Sequence, residues 1–174
     1  MFFFPLRDDN PTSKTPWVNW VIIALCCFVF LVQLSQGGYN EVLIQGLGVT
    51  PAVLFGQNYL PFEYQLVPSW ATVLTSMFLH GGIMHLLGNM LYLWIFGDNI
   101  EDCVGSKFRY IALYVCCGIA AAFAQSLVDP NSMVPMIGAS GAIAGMLDTI
   151  QAAEALKYVI GVGEHPTDAL LTFD

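Results

Sequence analysis

The sequence predicts an all-α membrane protein: a bundle of about four transmembrane helices followed by a short amphipathic tail. Hydrophobic residues make up 56% of the 174 residues and charged residues only 10%, whereas a soluble domain carries about 25% charged residues. Several charge-free stretches are long enough to cross a bilayer. The formal net charge of −8 argues against a nucleic-acid partner, because such a partner requires a basic face.

The first helix is predicted from Trp17 to Leu34, after a polar N-terminal arm of residues 1–16. This stretch contains no charged residue and is close to the ~20 residues that a helix needs to span the hydrocarbon core. Trp17 and Trp20 lie at its start, where aromatic side chains favour the interface between membrane and water. We therefore predict a transmembrane helix in contact with the lipid bilayer.

Three further spans follow a broken, apolar loop at residues 35–69. Glycines and prolines interrupt this loop, so we predict short helices that lie partly in the interface. The second span is predicted at Ile83 to Phe96 and ends at a charged connection, residues 98–109. The third is predicted at Tyr110 to Val128, and the fourth starts near Ile137.

The distribution of cations predicts the orientation of the bundle. Arg7 and Lys14 precede the first span, Lys107 and Arg109 lie between the second and third, and residues 35–69 contain neither Lys nor Arg. The positive-inside rule therefore places the N-terminus in the cytoplasm and the large loop on the outer side. This bias suits a bacterial inner membrane.

Strong polar groups near and inside the second span are candidates for a functional site, since a membrane helix excludes them unless they have a role. His80 precedes this span, while His85 and Asn89, four residues apart, share one face of it. Two alternatives remain open: the pair donates hydrogen bonds toward one point, or it joins helices by polar contacts. A metal site is not predicted, because the pair lacks a third strong ligand.

Ser140 is the candidate nucleophile. It lies in the charge-free sequence IGASGAIAGM, among small residues. The spacing of Gly141 and Gly145 also fits close helix packing, so a serine with only a packing role is the alternative. A serine at the start of one membrane helix, combined with the donors His85 and Asn89 on another, predicts a nucleophile with an oxyanion site.

Two sequences carry a resemblance to a known family: HGGIMHLLGNMLYLWIFGDNIED and, about fifty residues later, PMIGASGAIAGML. Together they resemble the rhomboid family of intramembrane serine proteases. The resemblance implies a bundle of six helices with a cavity open to the outer side, in which a substrate's transmembrane segment is cleaved without a cofactor. It implies that Ser140 is the nucleophile and that His85, Asn89 and the Ser140 amide stabilise the oxyanion. Gly138 would keep the approach to Ser140 open, and His80 would support the helix and loop.

The chain departs from the family pattern after the fourth span. In rhomboids the general base is a histidine on the sixth helix, whereas the last histidine here is His165, in the sequence GEHPTD. Loss of one member of a serine–histidine pair can cost roughly 10⁶ in rate, so we predict an intramembrane serine endopeptidase that is inactive as this chain stands. The alternative is a catalytically silent rhomboid-like protein that binds membrane helices.

A bundle short of two helices would also leave Gly141 and Gly145 facing lipid, which predicts self-association.

Residues 148–174 are predicted to form a tail outside the rhomboid-like domain of residues 17–147. Apolar residues of the tail repeat at helical spacing between polar ones, which indicates an amphipathic helix of a soluble protein. From Gly145 onward the sequence resembles the C-terminal part of adenylyltransferases that activate sulfur-carrier proteins. The two resemblances meet at residues 145–147. We therefore predict a join there, in a fused or misassembled reading frame.

Overall fold

A computed structural model describes residues 14–37 and 40–160, apart from the side chains of residues 154, 155 and 157–160. These residues form seven α-helices, with short 3₁₀ turns in the first long loop: α1 Trp17–Ser35, α2 Asn40–Leu47, α3 Pro51–Leu54, α4 Thr72–Thr75, α5 Ile83–Val104, α6 Lys107–Val128 and α7 Ser140–Ile160. The first long loop contains short helices, as predicted. Most of the predicted N-terminal arm, the end of the tail and His165 lie outside the described residues.

The predicted connection at residues 98–109 is wrong in both its bounds. α5 continues to Val104 and α6 begins at Lys107, so only a short turn joins them. Charged residues do not end α5, because Glu101 is buried and accepts hydrogen bonds from the start of α1. Gly105 ends the helix instead, at a φ of +68° in the left-handed region that favours glycine.

α7 begins later than predicted, because the residues before it are held by the loop between α1 and α5. Met136 and Val49 exchange two backbone hydrogen bonds of 2.8 and 3.0 Å, and the Gly138 N–H donates to the Ser76 carbonyl at 2.9 Å. The chain therefore turns into a helix only at Ser140. The loop between α1 and α5 thus sets where the helix that carries the serine starts.

Two of the described helices, α1 and α6, are long and apolar enough to cross a membrane. A third span results if α5 is counted together with Phe62–Phe78, which meets it at an angle of 77°. Within the described residues, α7, the fourth predicted span, is not among the helices long and apolar enough to cross a membrane. Its sequence includes the charged residues Asp148, Glu154 and Lys157. α7 continues through residues 147 and 148 without a break; the separate origin of the tail stays a prediction.

A buried polar network fixes α1 against α5. The N–H groups of Val18 and Asn19, in the first turn of α1, donate to the Glu101 carboxylate at 3.3 and 2.8 Å. The Asn19 carboxamide donates to the Leu93 carbonyl at 2.7 Å and accepts from the Tyr110 hydroxyl at 3.0 Å. Because the carboxylate satisfies amides that a helix start leaves free, and lies at the positive end of the helix dipole, this charge can be buried.

α7 packs along α6 through small residues. A Cβ added to Gly141 would lie 2.7 Å from the Ala121 Cβ, and one added to Gly145 would lie 2.9 Å from the Cys117 Cβ. The prediction that these glycines face lipid is therefore wrong: they let α7 approach α6 closely, as small residues do in membrane helices. Self-association stays a prediction, but exposure of these two glycines to lipid no longer supports it. The core beneath these helices includes Ile22, Cys26, Phe30, Met90, Leu93, Tyr110, Tyr114, Ile143 and Met146.

Candidate active site

Ser140, His85 and Asn89 line one open cavity of about 350 Å³ between α5 and α7. None of the described residues that line the cavity is Asp, Glu, Lys or Arg. The remaining walls are formed by Met84, Gly88, Tyr92, Ile143, Ala144 and Leu147. The structure thus brings together the three side chains that the sequence predicts to act as one site.

α5 presents His85 and Asn89 to this cavity because residues four apart lie on one face of a helix. Asn89 is 6% exposed, and its Nδ2 forms no hydrogen bond with any described atom. Leaving a buried donor unpaired costs roughly 1–3 kcal/mol. The Asn89 carboxamide is therefore a donor that gains a partner when an oxygen atom enters the cavity.

Gly138 brings the backbone before Ser140 against the ring of His85. Its φ of +121° lies in a region that favours glycine. A Cβ at this position would lie 2.7 Å from both Cε1 and Nε2 of His85, and 3.6 Å from the Asn89 Nδ2. Only a residue without a side chain fits between α5 and the turn that leads into α7.

Ser140 is the first residue of α7 and is exposed. The Ile143 N–H donates to the Ala139 carbonyl at 3.0 Å, so the Ser140 amide lies in the first helical turn, whose N–H groups have no acceptor within the helix. These amides and the positive end of the helix dipole favour a negative charge. A charge that develops beside the Ser140 hydroxyl would therefore be stabilised.

The turn before α5 indicates which ring nitrogen of His85 carries the proton. The Gly81 N–H donates to the His85 Nδ1 at 3.4 Å, a long hydrogen bond. This contact assigns Nδ1 as the acceptor and leaves the proton of the neutral ring on Nε2. Since Nε2 is one of the ring atoms nearest to Gly138, His85 offers a donor toward the turn that precedes Ser140.

Two residues that matter to this geometry were not predicted from the sequence: Gln33 and Ser76, both buried. Gln33 forms hydrogen bonds with both backbone groups of His80, and the Ser76 carbonyl holds Gly138. Gln33 has a recognisable signal, since it is a strong polar group within an apolar span. Ser76 acts through a backbone atom and leaves no such signal. No cluster of His, Cys, Asp and Glu suited to a metal ion occurs in the described part of the chain.

A family model and individual relatives relate this chain to the same group of proteins. A family model described as Rhomboid domain matches residues 67–163, a range that contains every residue of the cavity. The chain is 32% identical to the rhomboid protease GluP of Bacillus subtilis over 136 residues, covering 78% of this chain and 24% of that protein. It is also 32% identical to the rhomboid protease AarA of Providencia stuartii, covering 90% and 59%, and to RHOMBOID-like protein 5 of Arabidopsis thaliana, covering 94% and 59%.

The chain therefore spans between 24% and 59% of the length of these relatives. No solved structure gives a significant match.

Proposed function

The chain belongs to the rhomboid family, and on that premise we propose that it carries the nucleophile and the oxyanion site of an intramembrane serine endopeptidase. The observation that supports this most directly is the single cavity lined by Ser140, His85 and Asn89, beside which the Asn89 donor is unpaired. The chain is an integral membrane protein, and its proposed substrates are transmembrane segments of other membrane proteins.

In the proposed reaction, the Ser140 Oγ attacks the carbonyl carbon of the scissile peptide bond, and the carbonyl oxygen takes up negative charge. The His85 Nε2–H, the Asn89 carboxamide and the Ser140 amide donate hydrogen bonds to this oxyanion. Donors that are poorly satisfied before the charge develops lower the barrier rather than merely tighten substrate binding. Gly138, where a Cβ would lie 2.7 Å from the His85 ring, keeps that ring free of a side chain that would push it away from the oxyanion.

The proton of the Ser140 hydroxyl requires a base, and the histidines of the described residues do not supply it. His85 acts as a donor, and His80 is buried with its Nδ1 3.2 Å from the Phe78 carbonyl oxygen. His165 lies outside the described residues. We therefore propose that Ser140 of this chain reacts slowly and that full activity needs a histidine brought close to its hydroxyl.

A catalytically silent, rhomboid-like protein that binds membrane helices is the second candidate. It is favoured by the same observation about the base: the histidine that lines the cavity is His85, whose assigned tautomer donates toward Gly138. The open cavity between α5 and α7 would then receive part of a partner helix without cleaving it. The two functions differ in whether Ser140 is chemically reactive.

We also propose that the protein lies in a bacterial inner membrane with its N-terminus in the cytoplasm. The support is the position of Lys14 before α1 and of Lys107 and Arg109 at the start of α6, with no Lys or Arg in the loop at residues 35–69. In this orientation Ser140 lies a short way below the outer surface.

Labelling with a serine-directed fluorophosphonate separates the two functions. We expect slow covalent labelling of the purified chain and no labelling of Ser140→Ala. Labelling of Asn89→Ala should be ~10²–10³-fold slower, the usual cost of removing one oxyanion donor. Gel fluorescence gives the rate, and peptide mapping by mass spectrometry identifies the modified serine.

Ser35→Ala is the matched control, because Ser35 is an exposed serine at the end of α1; it should be labelled at the wild-type rate. Labelling that persists in Ser140→Ala would contradict the proposed nucleophile. A wild-type chain that is not labelled at all would favour the silent function.

A further inference from the structure

Gln33 lies near the end of α1 and is 1% exposed. Its carboxamide is paired on both sides with one residue: Oε1 accepts from the His80 N–H at 3.0 Å, and Nε2 donates to the His80 carbonyl at 3.1 Å. Nε2 also donates to the Asn40 Oδ1 at 3.2 Å. One buried side chain therefore joins α1, the start of α2 and the turn that precedes α5.

We propose that Gln33 is a positioning residue for the oxyanion site, which holds the turn at residues 79–82 and through it sets the orientation and tautomer of His85. The proposal rests on the proposed function for its catalytic meaning, but its structural content is independent of whether Ser140 reacts. Gln33 does not itself line the cavity.

The start of α5 needs such an external support. The N-cap residue is Gly82, which has no side chain with which to cap the first turn of α5. Without a cap, the first amides of a helix are not held by their own segment, and the turn before them is free to move. Gln33 constrains this turn from outside, because its carboxamide forms hydrogen bonds with both the N–H and the carbonyl of His80.

The turn that Gln33 holds contacts His85 in two ways. The rings of His80 and His85 meet edge to face with their centroids 5.4 Å apart. The Gly81 N–H reaches the His85 Nδ1 at 3.4 Å, which is near the limit for a hydrogen bond. Because this bond is already long, a small displacement of the turn breaks it, and Nδ1 then loses the contact that keeps its proton on Nε2.

A role for Gln33 in joining helices and a role in positioning His85 predict different results when Gln33 is replaced. If Gln33 only joins helices, its loss lowers the stability of the bundle and leaves the His85 ring unchanged. If it positions His85, its loss changes the population of the two His85 tautomers. Nuclear magnetic resonance of ¹⁵N-histidine-labelled protein in detergent micelles distinguishes them, since a protonated and an unprotonated ring nitrogen resonate far apart.

The experiment compares wild type with Gln33→Met, which keeps the length of the side chain and removes its two hydrogen bonds to His80 and the one to Asn40. His80→Gln and His165→Gln assign the three histidines. We expect one His85 tautomer in the wild type, protonated at Nε2, and in Gln33→Met a shift of the His85 signals toward a mixture. Gln36→Met is the matched control, because Gln36 is exposed three residues further on; its His85 signals should match those of the wild type.

Gln33→Asn provides the second variant if Gln33→Met does not fold, because the shortened carboxamide remains polar but cannot reach His80 at both atoms. Unchanged His85 signals in a folded Gln33 variant would overturn the proposal, and so would a wild-type His85 protonated at Nδ1. Failure of Ser140 to react with a fluorophosphonate would instead overturn the proposed function and leave this result standing.

Discussion

Replacing Gly138 with alanine is expected to reduce fluorophosphonate labelling of Ser140 by at least ~100-fold. The added Cβ would lie 2.7 Å from two atoms of the His85 ring, so the ring or the turn before Ser140 must move. A displacement of about 1 Å between catalytic groups can cost 10²-fold in rate. The φ of +121° adds strain, because an L-residue rarely adopts it. The measurement is the rate constant of labelling under conditions in which the wild type reacts.

Gly56→Ala separates steric contact from backbone strain. Gly56 also has a positive φ, +69°, but a Cβ there would meet no atom within 4 Å. We expect a loss of stability of about 1–2 kcal/mol from the left-handed backbone and an unchanged rate of labelling. A Gly138→Ala protein that is labelled as fast as wild type would show that the close contact with His85 is not part of the site.

Ala144→His is expected to accelerate labelling of Ser140 by at least ~100-fold, the lower range for a general base. Ala144 lines the cavity and lies four residues after Ser140, on the same face of α7. Side chains of a helix lean toward its N-terminus, so an imidazole at this position points back toward the Ser140 hydroxyl. It would supply the base that the described residues lack.

The gain in Ala144→His should depend on pH with a defined sign. Only the neutral imidazole accepts a proton, so the rate should rise with pH through the ordinary histidine pKa of about 6.5. Ala144→Gln is the control of similar length without a base and should be labelled at the wild-type rate. An equal gain in Ala144→Gln, or no gain in Ala144→His, would contradict the account of the missing base.

The helix positions that were predicted correctly depend on local properties of the sequence. Hydropathy alone places α1, and the four-residue spacing alone places His85 and Asn89 on one face of α5. The convergence of α5 with Ser140 is not a local property. It was predicted through the paired motifs, and the shared cavity now gives it a geometric basis.

The predictions that failed depend on contacts between distant segments. Charge in the sequence marks the end of a helix only if the charge is solvated, and Glu101 is instead buried against the first turn of α1. Likewise, the start of α7 depends on Val49, far away in the chain, which pairs with Met136. Neither partner can be identified from the residues beside it. The same holds for Gly145, whose partner Cys117 lies on α6.

The central claim is that Ser140 faces an open cavity shared with His85 and Asn89. If that cavity admits water, the accessibility of a cysteine at this position tests the claim without requiring catalysis. Ser140→Cys is embedded in a bilayer and treated with a charged methanethiosulfonate, and peptide mapping quantifies the modification. Phe28→Cys is the control, because Phe28 lies within α1, a helix apolar enough to cross a membrane, and is exposed on its surface, where we expect it to face lipid. The account predicts that Ser140→Cys is modified and Phe28→Cys is not. A Ser140→Cys protein as unreactive as Phe28→Cys would contradict it.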